Sequence, residues 1–197
     1  MQTLLNEKDS FLQVEEEFLE KEEADELLKY VLGLPLIQYP KGKLFGKEIT
    51  FHRSIGFFTN SDKGYKFSGQ TIKTGNLCDV LQQLIDKVNA KLNIQSNGIL
   101  VNVYNSGLDY ISAHSDNEKE LGVNPTVAAI TLNLPHGQSR TFRIRDKTTK
   151  KIVLDVLTTH GQLLVMGGKF QANYTHEIPI EKNKDGIRVS LTFRTHV

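Results

Sequence analysis

One cysteine, Cys78, is all that the 197 residues contain. That excludes an internal disulfide framework and a cysteine-built zinc finger, and it suits a reducing compartment. Charge of one sign is also missing. The 24 Lys and Arg stand against 23 Asp and Glu, for a formal net charge of +1. A bulk basic field is therefore excluded, and any nucleic-acid binding must use a local patch. No apolar run approaches the ~18 residues of a membrane span. The start, MQTLLNEKDSFLQVEEEFLEKEEADE, lacks the basic residues and apolar stretch of a secretion signal. An intracellular protein without membrane contact is expected. There is no internal repeat, low-complexity tract or Pro/Ser-rich linker to divide the chain. Its length and 39% hydrophobic content suit one domain with a real core.

What is present separates into two regimes. Residues 20–32 carry apolar Ala24, Leu27, Leu28, Val31 and Leu32 at helical spacing, stopped by Gly33 and Pro35. A second helix is predicted over 76–93, with Asn76 as cap. Leu77, Val80, Leu81, Leu84, Ile85, Val88 and Leu92 form its apolar face. From residue 98 onward, seven short runs rich in β-branched and aromatic residues follow one another, punctuated by Gly, Asn, Asp and Pro. Strands without intervening helices argue for an antiparallel sandwich or barrel. The expected fold is therefore α+β, a jelly roll backed by N-terminal helices. Residues 1–35 read as a helical extension and 36–197 as the main domain, which begins with short strands and turns over 36–70.

His114 and Asp116 stand two apart in YISAHSDNEKEL. A third metal ligand has to come from downstream, where His136, His160, His176 and His196 are available. His176 lies in the alternating run NYTHEIPI, which can turn its ring inward. Two imidazoles and one carboxylate leave coordination positions open, the arrangement that suits non-haem Fe(II) and O2. A lone H-x-D pair is common by chance, so support has to come from elsewhere. The last run, IRVSLTFR, places Arg188, Ser190, Thr192 and Arg194 on one strand face and Val189, Leu191 and Phe193 on the other. Two arginines beside a core call for anions, and a dicarboxylate would serve. An exposed edge strand is the plainer alternative. Asn102 and Tyr104 share a face just before the histidine pair, where they could hydrogen-bond the same acid or be ordinary strand residues.

The order N-x-Y, H-x-D-x-E, a late His and R-x-S-x-T-x-R resembles the AlkB family of 2-oxoglutarate- and Fe(II)-dependent dioxygenases over residues 36–194. The likeness is to the branch that repairs alkylated duplex DNA. It implies a double-stranded β-helix with a nucleotide-recognition lid over 36–70, and His114, Asp116 and His176 as iron ligands. It also implies Asn102, Tyr104, Arg188, Ser190, Thr192 and Arg194 as the 2-oxoglutarate pocket. Ser190 stands where the family usually has asparagine. The implied reaction uses Fe(II), O2 and 2-oxoglutarate to demethylate 1-methyladenine and 3-methylcytosine, releasing formaldehyde, succinate and CO2. The implied partner is alkylated DNA, duplex in preference, with RNA possible, and the enzyme is expected to act as a monomer, nuclear if eukaryotic. Phe45, Gly46 and Lys47 match the segment that carries a base-displacing wedge, although a core-facing Phe at a hairpin tip is the simpler reading of the residues themselves. Tyr65, Lys66 and Phe67 resemble the nucleotide-recognition stretch. Asn117 and Glu118 occupy the position that faces the target base, where Glu118 would suit a cationic lesion. Arg53 and Lys66 are candidates for phosphate. An oxygenase acting on RNA or protein methyl groups, or a binding module without turnover, are the alternatives.

Overall fold

The computed structural model describes residues 1–44, 47–60, 65–67, 70–72, 75–134 and 138–195; for 43, 44, 65–67, 70–72 and 119 it describes the backbone only. The chain opens with β1 (Gln2–Glu7) and β2 (Ser10–Glu15), followed by α1 (Lys21–Leu32). Short strands come next: β3 (Lys41–Leu44), β4 (Lys47–Thr50), β5 (Ser54–Thr59), β6 (Tyr65–Phe67) and β7 (Gln70–Ile72). Then α2 (Asp79–Leu92) leads into β8 (Gly98–Tyr104), β9 (Ile111–His114), β10 (Val127–Leu134), β11 (Arg140–Asp146), β12 (Ile152–Thr158) and β13 (Leu163–Gly168). The one-turn helix α3 (Phe170–Asn173), β14 (Tyr174–Ile178) and β15 (Ile187–Arg194) complete it.

Two sheets make the roll. The larger has the order β1-β2-β13-β10-β15-β8-β5 and the smaller β12-β11-β14-β9. Alternation along each strand of the large sheet assigns its two faces. On one, Val101 and Val103 of β8, Ile130 and Leu132 of β10 and Val189, Leu191 and Phe193 of β15 pack against Leu27, Leu28 and Val31 of α1 and Leu81, Leu84, Ile85 and Val88 of α2. Each such side chain contributes roughly 1.5–3 kcal/mol when fully buried. On the other, Val127, Leu164 and Met166 meet Phe142, Ile144, Tyr174 and Ile178 of the small sheet. The site described below lies between the sheets. β15 sits between β10 and β8, so its arginines are on a central strand and not on an exposed edge.

Four expectations are corrected. Residues 1–35 are not a helical extension: β1 and β2 form a hairpin, and β2 pairs with β13 from Leu163↔Glu15 to Gly168↔Ser10. Lys8 (φ 53°) and Asp9 (φ 55°) are both left-handed, as the type I′ form of a two-residue hairpin turn requires. The second helix begins at Asp79, with Cys78 rather than Asn76 at its N-cap and no side-chain capping bond. Its Val80 is 42% exposed instead of facing the core. At its end Asn93 takes the left-handed conformation (φ 52°) and closes the helix.

The N-terminal hairpin is tied down by charge. Asp146 accepts from the backbone N–H of Thr148 and Thr149 at 2.9 and 2.7 Å, and Lys8 Nζ reaches its second oxygen at 2.5 Å. The Lys8 bond, with the Thr149 amide, holds the Asp146 carboxyl far below the usual carboxylate range. A carboxyl whose pKa falls on folding stabilises the fold above its unfolded value, about 3.9, and loses that contribution as pH drops. Urea midpoints between pH 7 and pH 3 should therefore fall less steeply in Asp146→Asn than in the wild type. Parallel slopes would show that this turn carries none of the acid sensitivity.

Candidate metal centre and co-substrate cleft

β9 and β14 pair with His114 directly opposite His176, and the two rings lie 4.3 Å apart by centroid. β9 ends at His114, where the chain bends inward. Ser115 Oγ donates to the Tyr174 carbonyl (2.8 Å) and the Asp116 N–H to Gln171 Oε1 (2.9 Å). This bend buries Asp116 to 2% exposure. One donor atom from each of His114, Asp116 and His176 lies within 4.8 Å of the others. Among the described residues these three are the group that could hold a metal ion. His136 and His196 lie outside the described residues. His160 is committed elsewhere: its Nδ1 accepts the Asn133 N–H (3.0 Å) and its Nε2 is 3.2 Å from Asp25 of α1.

The donor set fits a divalent ion. The Nδ1 of His114 is 2.9 Å from the Ser112 carbonyl, so Nδ1 carries the proton and Nε2 keeps its lone pair. Burial holds His176 neutral, its pKa pushed down to about 3; burial also lowers that of His114. The two oxygens of Asp116 are divided: Arg194 binds Oδ1, while Oδ2 lies 3.6 Å from His176 Nε2. Burial alone would raise the Asp116 pKa, but the result is a lowering, with the Arg194 charge the largest influence against burial, so the carboxylate stays ionised. Two neutral imidazoles and one anion, with no fourth protein ligand among the described residues, suit an ion that leaves positions to other molecules.

Beside this cluster runs the cleft. Ser190 pairs with Asn102 and Arg188 with Tyr104 across β15 and β8, and Asn102, Tyr104, Arg188, Ser190, Thr192 and Arg194 all line it. Arg188 is 3% exposed. Its Nε and Nη2 are 3.3 and 3.2 Å from the hydroxyls of Thr158 and Thr131, while Nη1 is buried with no hydrogen-bond partner among the described residues. Burial lowers its pKa to about 10, which still leaves it charged at neutral pH. A buried cationic N–H without an acceptor is costly, and a carboxylate in the cleft would satisfy it. The residues thus fit a dicarboxylate co-substrate as well as the metal.

Arg194 is differently engaged: besides Asp116, it donates to Glu118 Oε1 at 2.9 Å. Glu118 is half-buried at the cleft and Asn117 exposed beside it. Arg194 is thus shared between two carboxylates, one cation against two anions, and Glu118 Oε2 stays buried with no hydrogen-bond partner among the described residues. Arg53 corrects the expectation of a phosphate contact. It is 3% exposed, lines the cleft and donates from Nε to Asn102 Oδ1 at 2.8 Å. With Oδ1 so occupied, Asn102 is left to present its NH2 group. Lys47 lies on β4, exposed. Phe45 and Gly46 lie outside the described residues, as do the side chains of Tyr65, Lys66 and Phe67, whose backbone forms β6. Sequence reasoning missed Gln171, which fixes the Asp116 backbone, and Phe142, whose ring stacks on His176 at 5.2 Å and 20°.

The profile of the 2OG-Fe(II) oxygenase superfamily matches residues 11–194. The bovine protein named DNA oxidative demethylase ALKBH2 is 29% identical over 186 residues, which cover 88% of this chain and 65% of that one. The human alpha-ketoglutarate-dependent dioxygenase alkB homolog 3 is 34% identical over 128 residues, 59% of this chain and 42% of its own. This chain therefore spans just under two thirds of the bovine relative. Among solved structures, that of OsALKBH1 superposes with a TM-score of 0.59, covering 93% of this chain and 97% of that chain at 16% identity, a likeness of fold.

Proposed function

Because the chain belongs to the 2OG-Fe(II) oxygenase superfamily, we propose that it removes N-methyl groups oxidatively from bases of DNA, with 1-methyladenine and 3-methylcytosine as substrates. The observation that carries an oxygenase reading is the juxtaposition of His114, Asp116 and His176 with the unpartnered Nη1 of Arg188 in one cleft. The DNA substrate is supported by the likeness to ALKBH2 and alkB homolog 3.

When bound, the metal supplies the activation of O2, driven by decarboxylation of 2-oxoglutarate. The net change is balanced. O2, 2-oxoglutarate and an N-methyl base give succinate, CO2, formaldehyde and the N–H base. The chain's own residues position and exclude. Arg188 binds a carboxylate of the co-substrate and fixes how deep it sits. Asn102, oriented by Arg53, donates to it. Arg194 keeps Asp116 ionised and turns one oxygen toward the imidazoles. Phe142, Met166 and Leu100 supply apolar walls that keep the cleft dry. Formaldehyde release from methylated oligonucleotides, single and double stranded, with Fe(II) and 2-oxoglutarate, is the direct test. Release from methylated peptides alone would overturn the substrate class.

The preference for duplex rests on Phe45. β3 and β4 pair up to Leu44↔Lys47, and Phe45 and Gly46 are the two residues between them. Extruding a base costs a few kcal/mol in a duplex and much less in a single strand. A ring filling the vacated space would offset that cost. Phe45→Ala is expected to lower turnover on methylated duplex far more than on the single strand, with an unchanged melting temperature. A core-packing Phe predicts a loss of about 3–5 kcal/mol of stability instead, depressing both activities together. An unchanged duplex-to-single-strand ratio disposes of the wedge.

A further inference from the structure

We propose that the stacked His52–Tyr110 pair is a second nucleobase site, which takes a base flanking the reacting one. The inference rests on the nucleic-acid reading above. The two rings are parallel within 20° with centroids 4.8 Å apart. The Tyr110 N–H donates to the His52 carbonyl at 3.0 Å, so backbone as well as rings holds the pair together. His52 is exposed and Tyr110 half-buried. The pair leads into the cleft from both sides: the next residue along the chain in each case, Arg53 and Ile111, lines it. Arg53 precedes β5 and Tyr110 precedes β9, the edge strands of the large and small sheets. The rings therefore join the chain at the entries to one edge strand of each sheet.

An exposed, pre-stacked pair of rings presents a flat π surface to solvent at no further ordering cost, and bases stack on such surfaces regardless of sequence. The need for one follows from the chemistry. When a target base leaves the stack, each neighbour loses a stacking partner, and a ring platform at the cleft mouth replaces it. The charge of the surrounding sequence favours a polyanion. Residues 36–75, which include His52 and the short strands β3 to β7, carry seven Lys and Arg against two acidic residues. Residues 1–35 carry three against ten. A nucleic-acid strand is thus attracted toward the lid and repelled from the N-terminal hairpin and α1.

The test compares a methylated mononucleotide, which has no flanking base, with a trinucleotide centred on the same methylated base. His52→Ala should raise the KM of the trinucleotide relative to that of the mononucleotide by about fivefold to a hundredfold, the range of one lost base stack. His52→Phe, which keeps a ring, should restore the wild-type ratio. The half-saturating 2-oxoglutarate concentration, measured in the same assays, should stay put. An unchanged ratio in His52→Ala overturns the proposal, and so does an equal loss on both substrates, which would make the pair a brace of the cleft. Fluorescence anisotropy with an unmethylated trinucleotide, without turnover, separates this from the functional reading. Weaker binding by His52→Ala supports the platform even if the wild type releases no formaldehyde. Failure of the wild type to bind any oligonucleotide overturns both.

Discussion

Asp116→Ala is expected to leave no measurable formaldehyde release and to weaken Fe(II) binding by more than about 100-fold. Partners one step removed from a metal typically cost 10- to 100-fold when lost, and Asp116 stands closer than that. It is the only anion among the three candidate ligands and the group on which Arg194 and both imidazoles converge. Its loss would take away the charge that balances a bound cation and leave the buried Arg194, at 4% exposure, with Glu118 as a carboxylate partner. Anaerobic titration with Fe(II) reads the affinity directly. His160→Ala is the control. That ring links Asn133 to Asp25 of α1, so its removal should lower stability while metal binding persists. A variant of Asp116 that still binds iron and turns over would remove the site.

The part of the site legible in the sequence is the part written in strand periodicity. Alternation along 187–194 put the arginines and hydroxyls on one face, and β15 keeps them there because that face meets the cleft while Val189, Leu191 and Phe193 meet the helices. His176 faces inward for the same reason. The first fifteen residues were not legible as a hairpin. Their turn is Lys8-Asp9, without the Gly or Asn that usually marks left-handed residues, and the acidic run after Val14 masks the short alternation of Leu12 and Val14. Gln171 was hidden because α3 is a single turn with no period to detect. An amide in such a place reads as surface until the fold brings Asp116 against it. Arg53 was misassigned by residue type: an arginine near a lid suggests phosphate, and nothing local says that β5 will carry it inside to Asn102.

Arg188→Met is expected to raise the half-saturating 2-oxoglutarate concentration by at least about 30-fold, without destabilising the fold. Truncating one partner of a buried, hydrogen-bonded charge pair costs about 2–5 kcal/mol, and each 1.4 kcal/mol is tenfold in affinity. The co-substrate's carboxylate would be that partner. The protein without co-substrate behaves in the opposite sense. There Arg188 is a desolvated cation with one donor unsatisfied, and apolar replacements of buried charges are commonly neutral or stabilising. Thr158 does not depend on Arg188, since its hydroxyl already donates to the Arg140 carbonyl at 2.8 Å. The melting temperature of the co-substrate-free variant should therefore equal or exceed that of the wild type. The upward shift that 2-oxoglutarate gives the wild type, which follows from its binding to the folded state alone, should vanish. Arg188→Lys keeps the charge but not the planar fork, and falls between the two. A merely structural arginine would show the reverse pattern, with a lower melting temperature and an unchanged shift on adding 2-oxoglutarate. Observing that pattern would place the dicarboxylate elsewhere in the cleft.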